Sequence, residues 1–407
     1  MKEFFKVMHL REVLALTAAY SPVGTEEVRL SDSFDRILGS EIISDIDIPN
    51  FSRSTVDGYS VLASSTFGAS ESNPAYLNIV GSVGMGEMPS FSIRSQEAAG
   101  IPTGGMMPDG SDAVIMVEHT DRLDDTALEV YKSVAPGQHM IGIGEDIQNG
   151  SIVLEKGRRI RAQESGFLAA LGKNTVTVFR KPVVGILSTG DEIVSIEDTP
   201  GPGRIRDINS FTLSALVHKA GGIAKPYGIV RDNYDALFEK SSLALSQCDM
   251  VLISGGSSVG TRDFTTSVLS ALPDSRILVH GISISPGKPT ILAETGKKPV
   301  WGLPGHVTSA MVVFQVVVKP FIERISGSAP QPVWKIPAIL DRNISSAQGR
   351  TDFIRVRLVS GNGVLAADPI LGKSGLINTM LRADGLIEIG VNTEGLEKDT
   401  PVEVMLI

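Results

Sequence analysis

The sequence of 407 residues contains a single cysteine, Cys248, so one chain can form neither an intramolecular disulfide nor a cage of protein thiolates around a metal. This cysteine stands just before an apolar run, Met250 to Ile253, which predicts an ordinary core thiol. Long apolar runs are missing as well. The longest one, Ala310 to Val318, is interrupted by Gln315 and is too short to span a bilayer, so we expect no membrane partner.

Positive charge is also in short supply. The chain has 37 Lys and Arg against 46 Asp and Glu, a formal net charge of −9, and this argues against nucleic acid as a partner. The start, Met1 to Phe5, lacks the apolar core of a signal peptide, so the expected location is the cytoplasm. A hydrophobic fraction of 42% is typical of a globular protein, and this length implies about two to four domains.

Changes in sequence texture divide the chain into four regions. We expect a helical, elongated N-terminal domain from residues 1–44 and 144–180, with one helix over Val7–Ala19, another after Thr25, and helical spacing in Ser151–Gly172. Residues 45–143 have short apolar segments between glycines and prolines, which predicts an inserted β-rich subdomain. Residues 333–407 show period-two runs that indicate a small β-barrel-like or sandwich domain.

The region 181–326 alternates strands and helices, which predicts a doubly wound, mostly parallel α/β sheet. The expected strands are Val183–Leu187, Ile223–Val230, Met250–Ile253, Ile277–Ile284 and Val300–Leu303. The expected helices are Ser210–Lys219, Tyr234–Ser246, Thr265–Leu272 and Val307–Ile325. Because ligands bind at the carboxyl ends of such strands, polar loops at four of these ends predict one site.

The most informative string is Ser254 to Asp263, Ser-Gly-Gly-x-Ser-x-Gly-x-x-Asp, directly after a buried strand. Its glycines present backbone N–H groups, and a helix follows, so Ser254, Gly255, Gly256, Ser258 and Gly260 form a candidate phosphate-binding nest. Asp263 stands where a phosphate-bound metal ion would lie.

Two further strings supply charge near this loop. Asp191 and Glu192 follow a strand end; adjacent acids there suit Mg²⁺ beside bound phosphates, although a solvated or helix-capping pair is an alternative. Lys288 in Pro-Gly-Lys-Pro could aim one cation at an anion, or simply be solvated on a tight turn.

Three more strings, each of which could be a plain loop, complete a pattern: Pro49-x-Phe51-x-x-Ser54-x-x-Asp57-Gly58-Tyr59, Ile101-Pro102-Thr103-Gly104-Gly105, and Gly144-Glu145-Asp146. Taken together and in this order, the six strings resemble the molybdopterin molybdenumtransferase family, which includes the E domain of gephyrin. The resemblance covers nearly the whole chain. It implies a homodimer that binds adenylyl-molybdopterin, releases AMP with Mg²⁺, and inserts a metal from molybdate or tungstate into the dithiolene.

Matching positions carry the family's functional residues to this chain. The resemblance implies catalytic roles for Asp57, Thr103, Asp146, Glu192, Asp232 and Asp263, and metal binding by Asp191, Glu192 and Asp263. It implies substrate binding by the nest residues and by Lys288, Pro304, Arg355 and Ser374, the last two around the oxyanion. It also implies that the N-terminal domain of one chain meets the central domain of the other.

Three departures from the family pattern are present: the first, at Gly281 and Ser285, bears on the oxyanion site, and the third is Ser257, which replaces a usual apolar residue in the glycine loop. Gly281 and Ser285 stand where the family commonly has basic residues, and Leu303-Pro304-Gly305-His306-Val307 replaces the usual Leu-Pro-Gly-Asn-Pro. His280 and His306 are candidate substitutes for the missing cations, with structural histidines as the alternative. Two rival functions remain: a molybdopterin adenylyltransferase, which resembles residues 182–326 alone, and a non-catalytic scaffold of the gephyrin type.

Overall fold

Strands and helices alternate through the middle of the chain in the computed structural model, which describes residues 7–255, 264–361 and 363–407. The chain divides into two compact units. The first comprises Met1–Ser40, Lys156–Gly166 and Lys173–Ile407, and the second comprises Glu41–Glu155 and Phe167–Gly172. Among the described residues, no helix combines the length and the apolar character needed to cross a membrane.

The first unit contains a six-stranded sheet, which confirms the predicted doubly wound α/β fold. In spatial order its strands are Ile223–Val230, Val183–Thr189, Met250–Ser254, Lys298–Leu303, Ile291–Thr295 and Ser275–His280. The first four are parallel to one another, Ile291–Thr295 is antiparallel to both of its neighbours, and Ser275–His280 runs in the same direction as the first four. Strand Ile291–Thr295 was not predicted. The expected strand Ile277–Ile284 was wrong in extent, because the chain leaves the sheet at His280 and its next strand is Ile284–Ser285, which pairs with the barrel.

Alternate residues of the sheet face two separate cores. Met250 and Leu252 pack with Leu213 on one face, whereas Val251 and Ile253 pack with Leu237 on the other. Burial on both faces explains why the central strands are continuous apolar runs. The helices of this region are Asn209–Lys219, Tyr234–Gln247, Phe264–Ala271, Val307–Val313 and Lys319–Ile325, with a π-helical segment, Phe314–Val318, between the last two. Cys248 is buried in the second core, as predicted.

The N-terminal segments of the first unit differ from the prediction. A short helix, Leu10–Ala15, continues as a 3₁₀ turn, Leu16–Ala19. The expected helix after Thr25 is wrong: Thr25–Arg29 is a strand, antiparallel to Thr175–Phe179. The partner strand is rich in β-branched residues, which favour strands. Pairing with it outweighs the helical preference that the two acids after Thr25 indicated.

The second unit is built mainly from strands. Its six-stranded sheet contains, in order, Ala113–Met116, Gly58–Val61, Glu97–Ile101, Ala75–Ser82, Ala127–Val130 and Thr120–Arg122. Shorter pairs join Arg53–Ser54 to Met140–Ile141 and Ile42–Ile43 to Ile152–Leu154. The helical spacing expected over Ser151–Gly172 is therefore wrong in its first part, since the helix spans only Ala162–Ala170.

The C-terminal part of the first unit is a small β domain. Strands Thr351–Gly361, Val364–Pro369, Lys335–Leu340, Pro401–Leu406 and Gly385–Ile389 pair in that order. The last of these pairs again with the first, which closes the sheet into a barrel. The two-residue strand Ile284–Ser285 adds to Thr351–Asp352 in parallel. The sequence Gly281–Lys288 thus lies beside the start of the longest barrel strand.

Candidate functional site

The carboxyl ends of the four parallel strands meet at one edge of the central sheet. The Gly190 N–H donates to Val230 O at 3.4 Å, and the Gly255 N–H donates to Leu303 O at 3.2 Å. Parallel strands present such an edge for ligand binding, because the loops that leave it carry the variable polar groups. The residues predicted at strand ends are therefore neighbours in space.

Asp232 is held at this edge by a buried hydroxyl. Thr189 Oγ1 donates to Asp232 Oδ1 at 2.7 Å, and Thr189 is 2% exposed. The Asp232 N–H lies 3.3 Å from Asp191 Oδ1, so two acidic residues from different strand ends are adjacent. Thr189 fixes one oxygen of Asp232, and a fixed carboxylate loses less conformational entropy when it binds a ligand.

Glu192 lies next to the same pair and is exposed. Its carboxylate folds over Gly190: a Cβ built on Gly190 would lie 2.7 Å from Glu192 Oε2. A side chain at position 190 would displace this carboxylate. Asp191, Glu192 and Asp232 form an acidic group at the end of strands Val183–Thr189 and Ile223–Val230.

The start of the phosphate-binding nest is described, and the rest is not. Gly255 has φ +115°, and a Cβ there would lie 2.0 Å from Thr189 O, so only glycine lets the two strand ends approach. Ser254 is fully buried. Gly256, Ser258, Gly260 and Asp263 lie outside the described residues.

A buried polar network behind this edge was missed at the sequence level. Asn209 Nδ2 donates to Ser254 Oγ at 2.6 Å and to Gly305 O at 2.8 Å, which ties two strand ends together. Asp207 Oδ1 accepts from Ser188 Oγ at 2.8 Å and from the Ser210 N–H at 3.0 Å. Asp207 lies two residues before helix Asn209–Lys219 and accepts from a backbone N–H of its first turn, a capping pattern that could have identified Asp207, whereas Asn209 is the first residue of the helix.

Lys288 lies on a turn, and its side chain is exposed. The turn packs tightly against helix Val307–Val313: a Cβ on Gly287, at φ +119°, would lie 2.3 Å from Val313 Cγ2. Gly281, which replaces a commonly basic residue, is buried at φ +98°, a conformation that lysine rarely adopts. Ser285 pairs in register with Asp352. A base at position 281 would therefore strain this backbone.

Arg355, on the barrel strand Thr351–Gly361, is 8% exposed. Its Nη2 donates to Gly372 O at 2.9 Å, whereas its Nε is buried without a hydrogen-bond partner. Among the ion pairs of the described residues, none involves Arg355. Burial lowers its pKa, since desolvation disfavours the charged form. A buried guanidinium with donors to spare is suited to bind an anion.

Its neighbour Asp352, in contrast, is already neutralised. Asp352 is 3% exposed and accepts from Ser346 Oγ at 2.7 Å. Arg350 Nε lies 2.9 Å from Asp352 Oδ1, close enough for an ion pair although its N–H does not point at that oxygen. Asp352 therefore has its own arginine, and Arg355 keeps its charge for another partner.

Ser374, two residues after Gly372, contacts residues that follow a strand of the central sheet. Its Oγ lies 2.9 Å from His306 Nδ1, and its carbonyl accepts from the Thr308 N–H at 3.2 Å. His306 comes two residues after the buried Pro304 at the end of strand Lys298–Leu303. The structure thus brings Pro304, His306, Ser374 and Arg355 into one neighbourhood, at the same edge as Gly255.

The second unit has its own arrangement of predicted residues. Asp57 Oδ1 accepts from the Thr103 N–H at 2.7 Å and from Thr103 Oγ1 at 3.0 Å. The Thr103 backbone bond, followed by the hydroxyl bond, lowers the pKa of the Asp57 carboxyl. Asp146 is exposed and donates its N–H to Ile48 O at 3.1 Å. Asp57 and Thr103 therefore form one pair, whereas no hydrogen bond between described residues joins Asp146 to either of them.

The metal-binding prediction stays a prediction. Within residues 7–255, 264–361 and 363–407, no group of three or more His, Cys, Asp or Glu could hold a metal ion. Mg²⁺ is commonly bound by one or two carboxylates together with substrate phosphates. Asp191 and Glu192 are exposed carboxylates, so they are chemically suitable ligands for this ion. The third predicted ligand, Asp263, is outside these residues.

Comparisons with known families agree with this geometry. The family model for the MoeA N-terminal region (domain I and II) matches residues 8–172. The model for a probable molybdopterin binding domain matches residues 185–324, and the MoeA C-terminal region (domain IV) matches residues 337–407.

Whole-chain relatives point the same way. The molybdopterin molybdenumtransferase of Haemophilus influenzae is 37% identical and covers 82% of this chain and 81% of its own length. The molybdopterin molybdenumtransferase of Bacillus subtilis is 31% identical, and the match covers 94% of this chain and 90% of the relative. A crystal structure of the molybdopterin biosynthesis MoeA protein from Pyrococcus horikoshii OT3 aligns with a TM-score of 0.86, 32% identity, and 99% and 100% of the two chains. The acidic strand-end residues and the barrel arginine lie in the regions that these family models match. This chain belongs to the molybdopterin molybdenumtransferase family.

Proposed function

We propose that this protein inserts molybdenum into molybdopterin, with release of AMP from the adenylylated substrate. One observation carries the proposal: the Gly372–Ser374 loop contacts the strand-end segment Leu303–His306 through Ser374. This contact puts a buried arginine with unused donors near an edge rich in acids and glycine. An enzyme that must hold a phosphorylated pterin and a tetrahedral dianion together requires such neighbouring sites.

The substrate phosphates bind at the strand ends. Ser254 and Gly255 form the strand end at which the nest begins, Gly256, Ser258 and Gly260 supply backbone and hydroxyl donors to the pyrophosphate in this proposal, and Lys288 adds a cation. In this proposal Asp232 accepts a hydrogen bond from the water that attacks phosphorus, and the bond from Thr189 to its carboxylate supports that role. Cleavage of the P–O–P bond then gives AMP and leaves the terminal phosphate on the pterin.

Mg²⁺ is the metal that this site would take. Asp191 and Glu192, with Asp263, would hold it beside the phosphates. When bound, the ion neutralises charge that develops on the pyrophosphate during hydrolysis. Asp57, Thr103 and Asp146 serve the same reaction, as the family membership supports.

The oxyanion site lies in the barrel domain. Arg355 and Ser374 donate to molybdate or tungstate. When the two dithiolene sulfurs of the substrate bind the metal, one of its oxygens leaves as water with the two thiol protons. Burial of Arg355 supports this assignment, because a partly desolvated pocket strengthens each hydrogen bond to an anion. Pro304 lines the same region.

The test is to incubate purified protein with adenylyl-molybdopterin, Mg²⁺ and either oxyanion, and to follow AMP release and metal bound to the pterin. AMP release that depends on molybdate supports the proposal. If the protein instead forms adenylyl-molybdopterin from ATP and releases no AMP, it acts one step earlier. If neither product forms, a scaffold role is favoured.

We also propose a cytoplasmic homodimer in which each active site uses residues of both chains. An inactive Asp57→Ala chain mixed with an inactive Asp232→Ala chain should then recover part of the AMP release, because a mixed dimer has one intact site. Sedimentation at the assay concentration gives the oligomeric state. A strictly monomeric protein, or no recovery on mixing chains shown to exchange, contradicts this arrangement.

A further inference from the structure

The loop that carries Ser374 is fixed at several backbone positions. Arg355 Nη2 donates to Gly372 O at 2.9 Å, and the Thr308 N–H donates to Ser374 O at 3.2 Å. Leu376 O accepts from Thr379 Oγ1 at 2.6 Å. Arg355, Thr308 and Thr379 are all buried. The Cβ of Ser374 is therefore held in place, and what remains variable is the direction of its hydroxyl proton.

That direction is set by a single neighbour among the described residues. His306 Nδ1 lies 2.9 Å from Ser374 Oγ, and the His306 ring also approaches Gly375, where a Cβ would lie 3.9 Å from Cδ2. A serine hydroxyl has one proton. If Nδ1 accepts it, Ser374 can offer an anion only oxygen lone pairs; if Nδ1 donates, the hydroxyl proton is free for another acceptor.

We propose that His306 is a positioning residue for the oxyanion: its Nδ1–H donates to Ser374 Oγ and turns the serine proton toward molybdate. This inference rests on the proposed function. An anion near the buried Arg355 favours the arrangement in which every nearby group donates, because accepted protons lower the energy of its negative oxygens. His306 thereby compensates in part for the positions of Gly281 and Ser285, which offer no cation.

The asparagine that commonly occupies this position in the family explains why histidine is tolerated. Asparagine carries an amide N–H₂ at about the distance of Nδ1 from the backbone, so both residues can donate to the serine. A side chain of similar size without a donor cannot. His306 is exposed and Ser374 half-buried, so a small solute can reach the pair.

The experiment measures the molybdate concentration that half-saturates AMP release, together with the affinity for adenylyl-molybdopterin, in five proteins: wild type, His306→Asn, His306→Leu, Ser374→Ala and the double variant His306→Leu/Ser374→Ala. We expect His306→Leu to raise the half-saturating concentration about tenfold, as for a lost hydrogen bond to a charged group. His306→Asn should stay within about threefold of wild type, and the pterin affinity should not change in either.

The double variant separates positioning from direct contact. If His306 acts through Ser374, the two effects are not additive. The half-saturating molybdate concentration of the double variant should then be within about twofold of that of Ser374→Ala. His218→Leu, a change of an exposed histidine at the end of helix Asn209–Lys219, is the matched control and should behave as wild type.

The outcomes distinguish this inference from the proposed function. If the wild type releases no AMP at any molybdate concentration, the proposed function fails. If the wild type is active and His306→Leu keeps its half-saturating concentration, or if the two losses multiply in the double variant, the positioning role is wrong. Direct titration of molybdate by calorimetry repeats the comparison without turnover.

Discussion

Two regions of the first unit each bury a charged side chain and treat it differently. Glu164, in helix Ala162–Ala170, is 2% exposed and is bound by Arg158 Nε at 2.9 Å and Arg161 Nη2 at 2.7 Å. Arg355, in the barrel, is 8% exposed and has only the carbonyl of Gly372 as its partner among the described residues. A buried charge with all its partners supplied by the chain stabilises structure. One with donors left over indicates a place for a ligand.

The acids at the strand ends are largely exposed, so they belong neither with the fully paired buried charge nor with the buried charge that has free donors. Substituting them tests whether a functional charge must be buried. We expect Glu192→Gln and Asp232→Asn each to lower AMP release about 100-fold or more, as is typical for loss of a charge that acts on the reacting groups. Glu197→Gln, an exposed acid on the following loop, is the control. Turnover near wild type in both variants, with unchanged thermal stability, would contradict the assignment.

Glu164→Gln tests the structural half of the comparison. The change removes the charge that Arg158 and Arg161 share, and we expect a loss of about 2 kcal/mol in the free energy of unfolding. That figure is below the value for a fully buried pair because both arginine side chains are about half exposed. Urea denaturation measures the loss. AMP release per folded molecule should stay at the wild-type value; a large catalytic defect in the folded variant would show that Glu164 is more than structural.

Arg355→Lys tests the ligand-binding half. Lysine keeps the charge but loses the planar fork that can hold two oxygens, so we expect the half-saturating molybdate concentration to rise about tenfold. Nucleotide-pterin affinity should change much less. Arg357→Lys, an exposed position on the same strand, serves as the control. An equal loss of pterin binding in Arg355→Lys would place this arginine on the substrate and leave the oxyanion site unassigned.

The smallest expected effect is the pH dependence of the Glu164 contacts. Hydrogen bonds from Arg161, above all, lower the pKa of the Glu164 carboxyl from 4.5 to about 2. Because the folded-state pKa is depressed, the stabilisation is complete above pH 4.5 and is lost as the pH falls through 2. The difference in unfolding free energy between wild type and Glu164→Gln should therefore be constant from pH 7 to 5 and shrink below pH 4.5. A difference that does not shrink contradicts this origin.

The sequence predicted the central sheet well, because its strands are buried on both faces and read as continuous apolar runs such as Met250–Ser254. It failed where distant pairing decides the structure. Thr25–Arg29 became a strand only through Thr175–Phe179, a partner about 150 residues away that local pattern does not specify. The domain limits expected near residues 45, 143, 181, 326 and 333 stay predictions.

The residues of the candidate site likewise divide into those that local sequence could predict and those that depend on distant contacts. Residues at strand ends, such as Asp191 and Asp232, were predictable because sheet topology alone brings them together. Asn209, which ties Ser254 to Gly305, was missed, since nothing in its neighbourhood along the chain indicates contacts with residues 45 and 96 positions away. The link between His306 and Ser374, 68 positions apart, likewise needed the structure.

The two-residue strand Ile284–Ser285 has a consequence for synthesis of the chain. Its partner, Thr351–Asp352, emerges from the ribosome 67 residues later, the difference between 284 and 351. At about 5–20 residues per second, the barrel edge is completed roughly 3–13 seconds after this strand has been made. We therefore expect a chain arrested before position 351 to carry the strand without its partner, with its unpaired N–H and C=O groups open to other chains.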